Sequence, residues 1–157
     1  MSVSPVFQIE LPDEAATLEL GGRLGVTLAP GISIWLEGDL GAGKTTLTRG
    51  VLRSLGFHGR VKSPTYTLVE VYELSRFNLY HFDLYRFTDP DEWEDAGFRE
   101  YFNPASVCLV EWPDKAAGRL PAPDLRVRFE IPDAGRSIWI EGLTEAGRAC
   151  IARLISS

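Results

Sequence analysis

At 157 residues with 45% hydrophobic content, the chain is long enough for one domain whose core needs neither disulfides nor a structural metal. A formal net charge of −6, with thirteen arginines and three lysines scattered singly, speaks against a protein that grips RNA or DNA in a basic groove of its own. No apolar run approaches a membrane span and no basic, apolar leader opens the chain, so a cytoplasmic location is expected.

Residues 5–10 alternate as an edge strand does. "LPDEAATLELGGRLGVTL" (11–28) then reads as a helix, with Pro12, Asp13 and Glu14 in its first turn and Ala16, Leu20, Leu24 and Leu28 recurring every four residues. Gly21, Gly22 and Gly25 break that pattern and suggest close packing of the helix on a sheet. "GISIWLEG" (31–38) is a short, apolar, β-branched run suited to a central strand. After a glycine loop, Leu47, Val51 and Leu55 mark one face of a helix that stops at Gly56.

"TLVEVYEL" (67–74) and "NLYHFDLY" (78–85), separated by only three residues, predict an antiparallel hairpin. "TDPDEWEDAG" (88–97) reads as a short acidic helix capped by Thr88 or Asp89, with Pro90 in its first turn. "SVCLVEW" (106–112) is a second all-apolar strand, and "DLRVRFEI" and "RSIWIEGL" alternate as a late antiparallel pair. "TEAGRACIARLI" closes the chain as an amphipathic helix with Thr144 as N-cap. Cys108 and Cys150 lie in apolar contexts without a CxxC spacing and read as small buried hydrophobes. The whole predicts an α/β fold: a single P-loop NTPase-like domain, its mixed sheet parallel at the centre with antiparallel additions and flanked by helices.

The segment "GDLGAGKT" fits G-x-x-x-x-G-K-[ST] at Gly38, Gly43, Lys44 and Thr45. Glycines let the backbone N–H groups turn toward phosphate oxygens, and the helix that follows adds its positive end. Lys44 would meet the β- and γ-phosphates, and the Thr45 hydroxyl a Mg²⁺ ion. Such a loop needs an acid for the metal's water shell, usually at the end of a neighbouring apolar strand. Glu111 follows "VCLV" and is the preferred magnesium acid; Asp83 follows "LYHF" and would orient water or support the hydrated metal. Either could instead be a plain strand-end charge.

"KSPTYTL" (62–68) lies where switch segments of phosphate-loop hydrolases lie, so Thr65, helped by Ser63, could reach Mg²⁺ or the γ-phosphate; Ser-Pro-Thr is equally ordinary turn chemistry. His58 and His81 have no second ligand at metal spacing and are read as non-catalytic. The tryptophans read as packing residues, except Trp112 beside Glu111. The guanine-reading N-K-x-D and a D-x-x-G are both missing from the sequence. An Arg-rich lid is missing too, which favours hydrolysis or switching over transfer to a metabolite. A small-molecule kinase and a module that uses ATP only as a conformational ligand stay as alternatives.

"LPDEAATLELG", "GDLGAGKTT", "SPTYTLVEVY", "YHFDLYRF" and "CLVEWPD", in this order over nearly the whole chain, resemble the bacterial TsaE (YjeE) family. That resemblance implies an ATPase required for the threonylcarbamoyl modification of the adenosine beside the tRNA anticodon. It implies a TsaD–TsaB complex as partner, reset by ATP hydrolysis between turnovers, with tRNA met only through that complex. Carried over, it implies nucleotide contacts along Gly41, Ala42, Gly43, Lys44, Thr45 and Thr46, with Mg²⁺ at Thr45 and Glu111. It implies functional roles for Asp83 and Trp112, and a mobile loop at Ser63, Pro64 and Thr65 near the γ-phosphate. Glu14 would lie near the nucleoside, and Arg136 has a family counterpart. The expected catalytic set is Lys44, Thr65, Asp83 and Glu111, with Glu14 and Trp112 among the nucleotide contacts.

Overall fold

The computed structural model describes residues 6–39, 43–131 and 134–156. Its strands are β1 (Val6–Leu11), β2 (Ser33–Glu37), β3 (Val69–Glu73), β4 (Asn78–Asp83), β5 (Ser106–Glu111), β6 (Leu125–Glu130) and β7 (Arg136–Gly142). Its helices are α1 (Glu14–Gly25), α2 (Lys44–Ser54), α3 (Glu92–Ala96) and α4 (Glu145–Ser156). The strands form one sheet in the order β1-β7-β6-β2-β5-β4-β3. β6, β2, β5 and β4 run parallel, while β1, β7 and β3 join antiparallel at the two sides.

The parallel centre follows from the sequence's two continuous apolar runs. β5 is buried at all six positions, and Ile34 and Leu36 of β2 are buried, so both strands need cover on each face. On one face α1, α2 and α4 enclose Leu20, Leu24, Leu47, Val51, Ile151 and Leu154. On the other, Phe82, Trp93, Phe98 and Val110 form a smaller, largely aromatic core under α3. No described helix is long and apolar enough to cross a membrane.

Three local readings are corrected. The glycines of α1 serve a helix–helix contact and not a helix–sheet one. A Cβ on Gly21 would stand 2.3 Å from the Leu47 carbonyl oxygen of α2, and one on Gly50 would stand 2.2 Å from the Leu18 carbonyl oxygen of α1. Only glycine permits that approach. α1 also ends at Gly25, so Leu28 is buried beyond the helix and not on its last turn. Its start is conventional, with the Asp13 carboxylate accepting the Ala16 N–H at 2.8 Å.

The short acidic helix begins at Glu92, later than the sequence suggests, and Asp89 caps the turn that leads into it, its Oδ1 accepting the Asp91 N–H at 2.9 Å. Reciprocally, the Glu92 carboxylate reaches back to accept the N–H groups of Thr88 and Asp89 at 2.7 and 3.0 Å. An acid in the first turn satisfies the loop backbone from inside the helix. At the C-terminus, Thr144 Oγ1 accepts the Gly147 N–H at 3.1 Å and so caps α4. Both cysteines are free and buried.

Candidate functional site

β2 delivers the chain to the carboxyl edge of the parallel strands, where open α/β sheets place their ligands. Leu40, Gly41 and Ala42 lie outside the described residues, so the contacts expected of Gly41 and Ala42 have no structural account. Gly43 has φ 105°, a left-handed conformation that strains any residue with a Cβ, and from it α2 starts at Lys44. No side chain caps this N-terminus and no acid occupies its first turn. Among the described residues no side chain meets the N–H groups of this first turn, which suits an anion from outside the chain.

Lys44 is 5% exposed. Its Nζ donates to the Gly38 carbonyl oxygen at 2.7 Å, stands 3.7 Å from Glu111 Oε1, and lies 4.2 Å from the centre of the Trp112 ring. Burial pulls its ammonium below the ordinary lysine value, opposed by the carboxylates of Glu111 and Asp83. The charge is thus held between two acids at the mouth of the cleft.

The two acids are neighbours by register, because β4 and β5 run parallel with Asp83 opposite Glu111 and His81 opposite Leu109. Alternation along β4 turns His81 and Asp83 to the α2 side and Phe82 to the aromatic core. Glu111 Oε2 is 2.6 Å from His81 Nε2, and His81 is fully buried. Asp83 is held differently: Oδ1 accepts the Tyr85 N–H at 2.9 Å and Oδ2 accepts the Thr65 hydroxyl at 3.2 Å. Ser63 Oγ and Thr65 Oγ1 share a bond of 2.8 Å.

Among the described residues two adopt positive φ without being glycine, Leu68 at 69° and Trp112 at 58°. Each such conformation costs about 1–3 kcal/mol and persists only where its surroundings enforce it. At Leu68 the carbonyl oxygen accepts the Asp83 N–H at 3.0 Å, pinning the loop to the end of β4. At Trp112 the turn lays the indole over Lys44, with the Tyr85 ring 5.0 Å from it.

A cleft of about 240 Å³ results, lined by Gly43, Lys44, Thr45, Thr46, Ser63, Thr65, Asp83 and Glu111. A second of about 290 Å³ adjoins it through Gly43 and Thr46, and includes Asp13, Glu14, Thr17 and Arg136. Glu14 is largely exposed there and pairs with Arg49 at 3.5 Å. The first compartment sets Lys44 and the hydroxyls of Thr45, Thr46, Ser63 and Thr65 beside two acids, and the second is of mixed polarity. No group of three His, Cys, Asp or Glu side chains among the described residues is placed to hold a metal ion. One buried acid beside a threonine hydroxyl fits Mg²⁺ carried on substrate phosphates, which takes few protein ligands and keeps its waters.

The family model for the threonylcarbamoyl adenosine biosynthesis protein TsaE matches residues 11–138 of the sequence. The chain belongs to the TsaE family. A relative in Haemophilus influenzae named tRNA threonylcarbamoyladenosine biosynthesis protein TsaE is 46% identical over 147 residues, spanning 90% of this chain and 93% of that one. A Bacillus subtilis relative of the same name is 47% identical over 98 residues, spanning 62% and 61% of the two chains. The crystal structure of YdiB from Bacillus subtilis superposes with a TM-score of 0.85 at 28% identity, over 99% of this chain and 98% of that one. The TsaE fold therefore extends over the whole chain, including α4, which lies beyond the matched residues.

Within this TsaE architecture the residues singled out in the sequence converge. Lys44, Thr45, Thr46, Thr65, Asp83 and Glu111 line one cleft, Glu14 and Arg136 the adjoining one, and Trp112 covers Lys44. What sequence reasoning missed is His81. Metal spacing was the wrong test for it, since its partner lies thirty residues away on the neighbouring strand. The available signal was its position two residues before Asp83, on the same face of β4.

Proposed function

We propose that this chain is a cytoplasmic, Mg²⁺-dependent ATPase of tRNA threonylcarbamoyladenosine biosynthesis, acting on a TsaD–TsaB complex and meeting tRNA only through it. The observation that carries this reading is Lys44, buried at an uncapped helix N-terminus between the Gly38 carbonyl and the Glu111 carboxylate. A lysine so placed is poised to exchange a carbonyl for phosphate oxygens.

In this reading the N–H groups at the start of α2 and Lys44 bind the β- and γ-phosphates. Thr45 and Glu111 hold the metal; when bound, Mg²⁺ neutralises charge on the phosphoryl oxygens. Asp83 orients the attacking water, and Thr65 and Ser63 sense whether the γ-phosphate is present. Glu14, Thr46 and Trp112 line the rest of the nucleotide path. No arginine side chain lines the phosphate cleft among the described residues. Turnover of the free protein is therefore slow, and it is completed by partners as hydrolysis resets their complex.

The test is steady-state phosphate release from Mg·ATP by the purified chain, alone and with TsaD–TsaB and tRNA. The expected result is slow release alone and a clear rise with the pair. Fast release unchanged by the pair, or phosphate appearing on a metabolite, would overturn the reading.

A further inference from the structure

We infer that His81 is the positioning residue of Glu111: its Nε2 donates to Oε2 and fixes the carboxylate so that Oε1 faces Lys44 and the cleft. This deepens the reading of Glu111 as the metal acid and rests on it.

Three observations carry the inference. His81 is fully buried, and its Nε2 lies 2.6 Å from Glu111 Oε2, the oxygen pointing away from Lys44. Its Nδ1 is buried with no hydrogen-bond partner among the described residues. A carboxylate oxygen only accepts, so Nε2 is the donor, and Glu111 is the one hydrogen-bond partner of the ring nitrogens among the described residues.

The third observation is the division of labour between the strands. Asp83 and Glu111 are paired across β4 and β5, and without separate tethers two adjacent carboxylates would compete for the same lysine and the same cation. Asp83 is tied to the loop by Thr65 and to the backbone by Tyr85. Among the described residues the Glu111 carboxylate has only Lys44, at 3.7 Å, and His81. Lys44 must leave for the phosphates when a nucleotide binds, whereas His81 has no route to do so. The histidine is therefore the anchor that keeps the Glu111 orientation constant through the cycle. Outer hydrogen bonds of this kind set the aim and basicity of a metal-binding carboxylate.

The test joins a spectroscopic measurement to a binding series on the full chain. ¹⁵N NMR of the nucleotide-free protein, with His58→Gln to assign the two rings, should show a proton held on His81 Nε2. A bare Nε2, or rapid exchange between tautomers, would overturn the proposal, and this readout needs no change at the site itself.

In the second arm, ADP binding is measured with and without Mg²⁺. His81→Leu is expected to lose about 10- to 100-fold in Mg²⁺ affinity of the ADP complex with metal-free ADP affinity unchanged, and His81→Gln, whose amide can still donate, to regain most of it. Wild-type Mg²⁺ affinity in a folded leucine variant, or equal loss by both variants with and without metal, would reduce His81 to a packing residue. Glu111→Gln separates the two failures. If it leaves Mg²⁺ affinity intact, the metal-acid reading falls; if it weakens Mg²⁺ while His81→Leu does not, the positioning role alone falls.

Discussion

Thr65 donates its hydroxyl to Asp83 Oδ2 at 3.2 Å, tying the loop after α2 to the end of a strand eighteen residues along the chain. Thr65→Val keeps the shape and removes the donor. Hydrogen bonds to charged groups contribute about 1.5–3 kcal/mol, so ATP hydrolysis should fall roughly tenfold to a hundredfold with little change in ATP affinity. Single-turnover hydrolysis beside fluorescent-nucleotide titration reads both. An equal loss in affinity would move Thr65 from catalysis to binding.

The acids of β4 and β5 should separate in a metal titration. Asp83→Asn should bind Mg·ATP as the parent does and lose about 10²- to 10⁴-fold in turnover, the scale of a lost acid–base or water-orienting group. Glu111→Gln should instead shift the Mg²⁺ requirement upward. Rate against Mg²⁺ concentration distinguishes them, and a raised requirement in the Asp83 variant would reverse the assignment.

The crossing of α1 and α2 makes opposite predictions for adjacent glycines. Gly21→Ala would drive a methyl to 2.3 Å from the Leu47 carbonyl oxygen, and overpacking of this kind costs about 1–3 kcal/mol. Gly22→Ala meets nothing nearer than the Gly50 carbonyl oxygen at 3.9 Å. Relief of unfolded-chain entropy should stabilise that variant by about 0.4–1 kcal/mol. Urea unfolding of the pair decides, and destabilisation by both would mean that α1 tolerates no added side chain on either face.

Alkaline stability carries a signature of Cys108, whose thiol burial pushes up to about 12 from 9.0. In the unfolded chain the thiol ionises near its ordinary value, so above pH 9.0 the folded state holds more protons than the unfolded one. Stability is therefore fully present below that pH and declines as pH rises through the window toward about 12. Cys108→Ala should flatten the decline, as seen in urea midpoints compared at neutral and alkaline pH. An unchanged slope would place the alkaline loss on other groups.

Much of this was legible in the sequence because it was local. The apolar run 32–36, the glycines and the helical pattern after Lys44 specify a strand, a loop and a helix within some twenty residues. An acid at the end of an all-apolar strand marked Glu111 for the same reason. What escaped depends on which elements become neighbours. The His81 contact exists because β4 pairs parallel to β5 in one register, and a one-residue slip would turn the imidazole toward the aromatic core. The role of Gly21 and Gly50 could not be read from either helix alone, since each serves the backbone of the other. The start of α3 was misplaced because Pro90 and Asp91 form a turn ahead of it.

The glycine contacts between α1 and α2 have a mechanical meaning for the cleft. Glu14 begins one helix and Lys44 the other, and the two meet backbone to backbone, so neither can slide without the other. The site is a vise with one fixed jaw. The jaw opposite is the 63–68 loop, held to the end of β4 by the Thr65 hydroxyl and the Leu68 carbonyl oxygen. On that opposite jaw Tyr66 stands 83% exposed, with the Arg86 guanidinium over its ring.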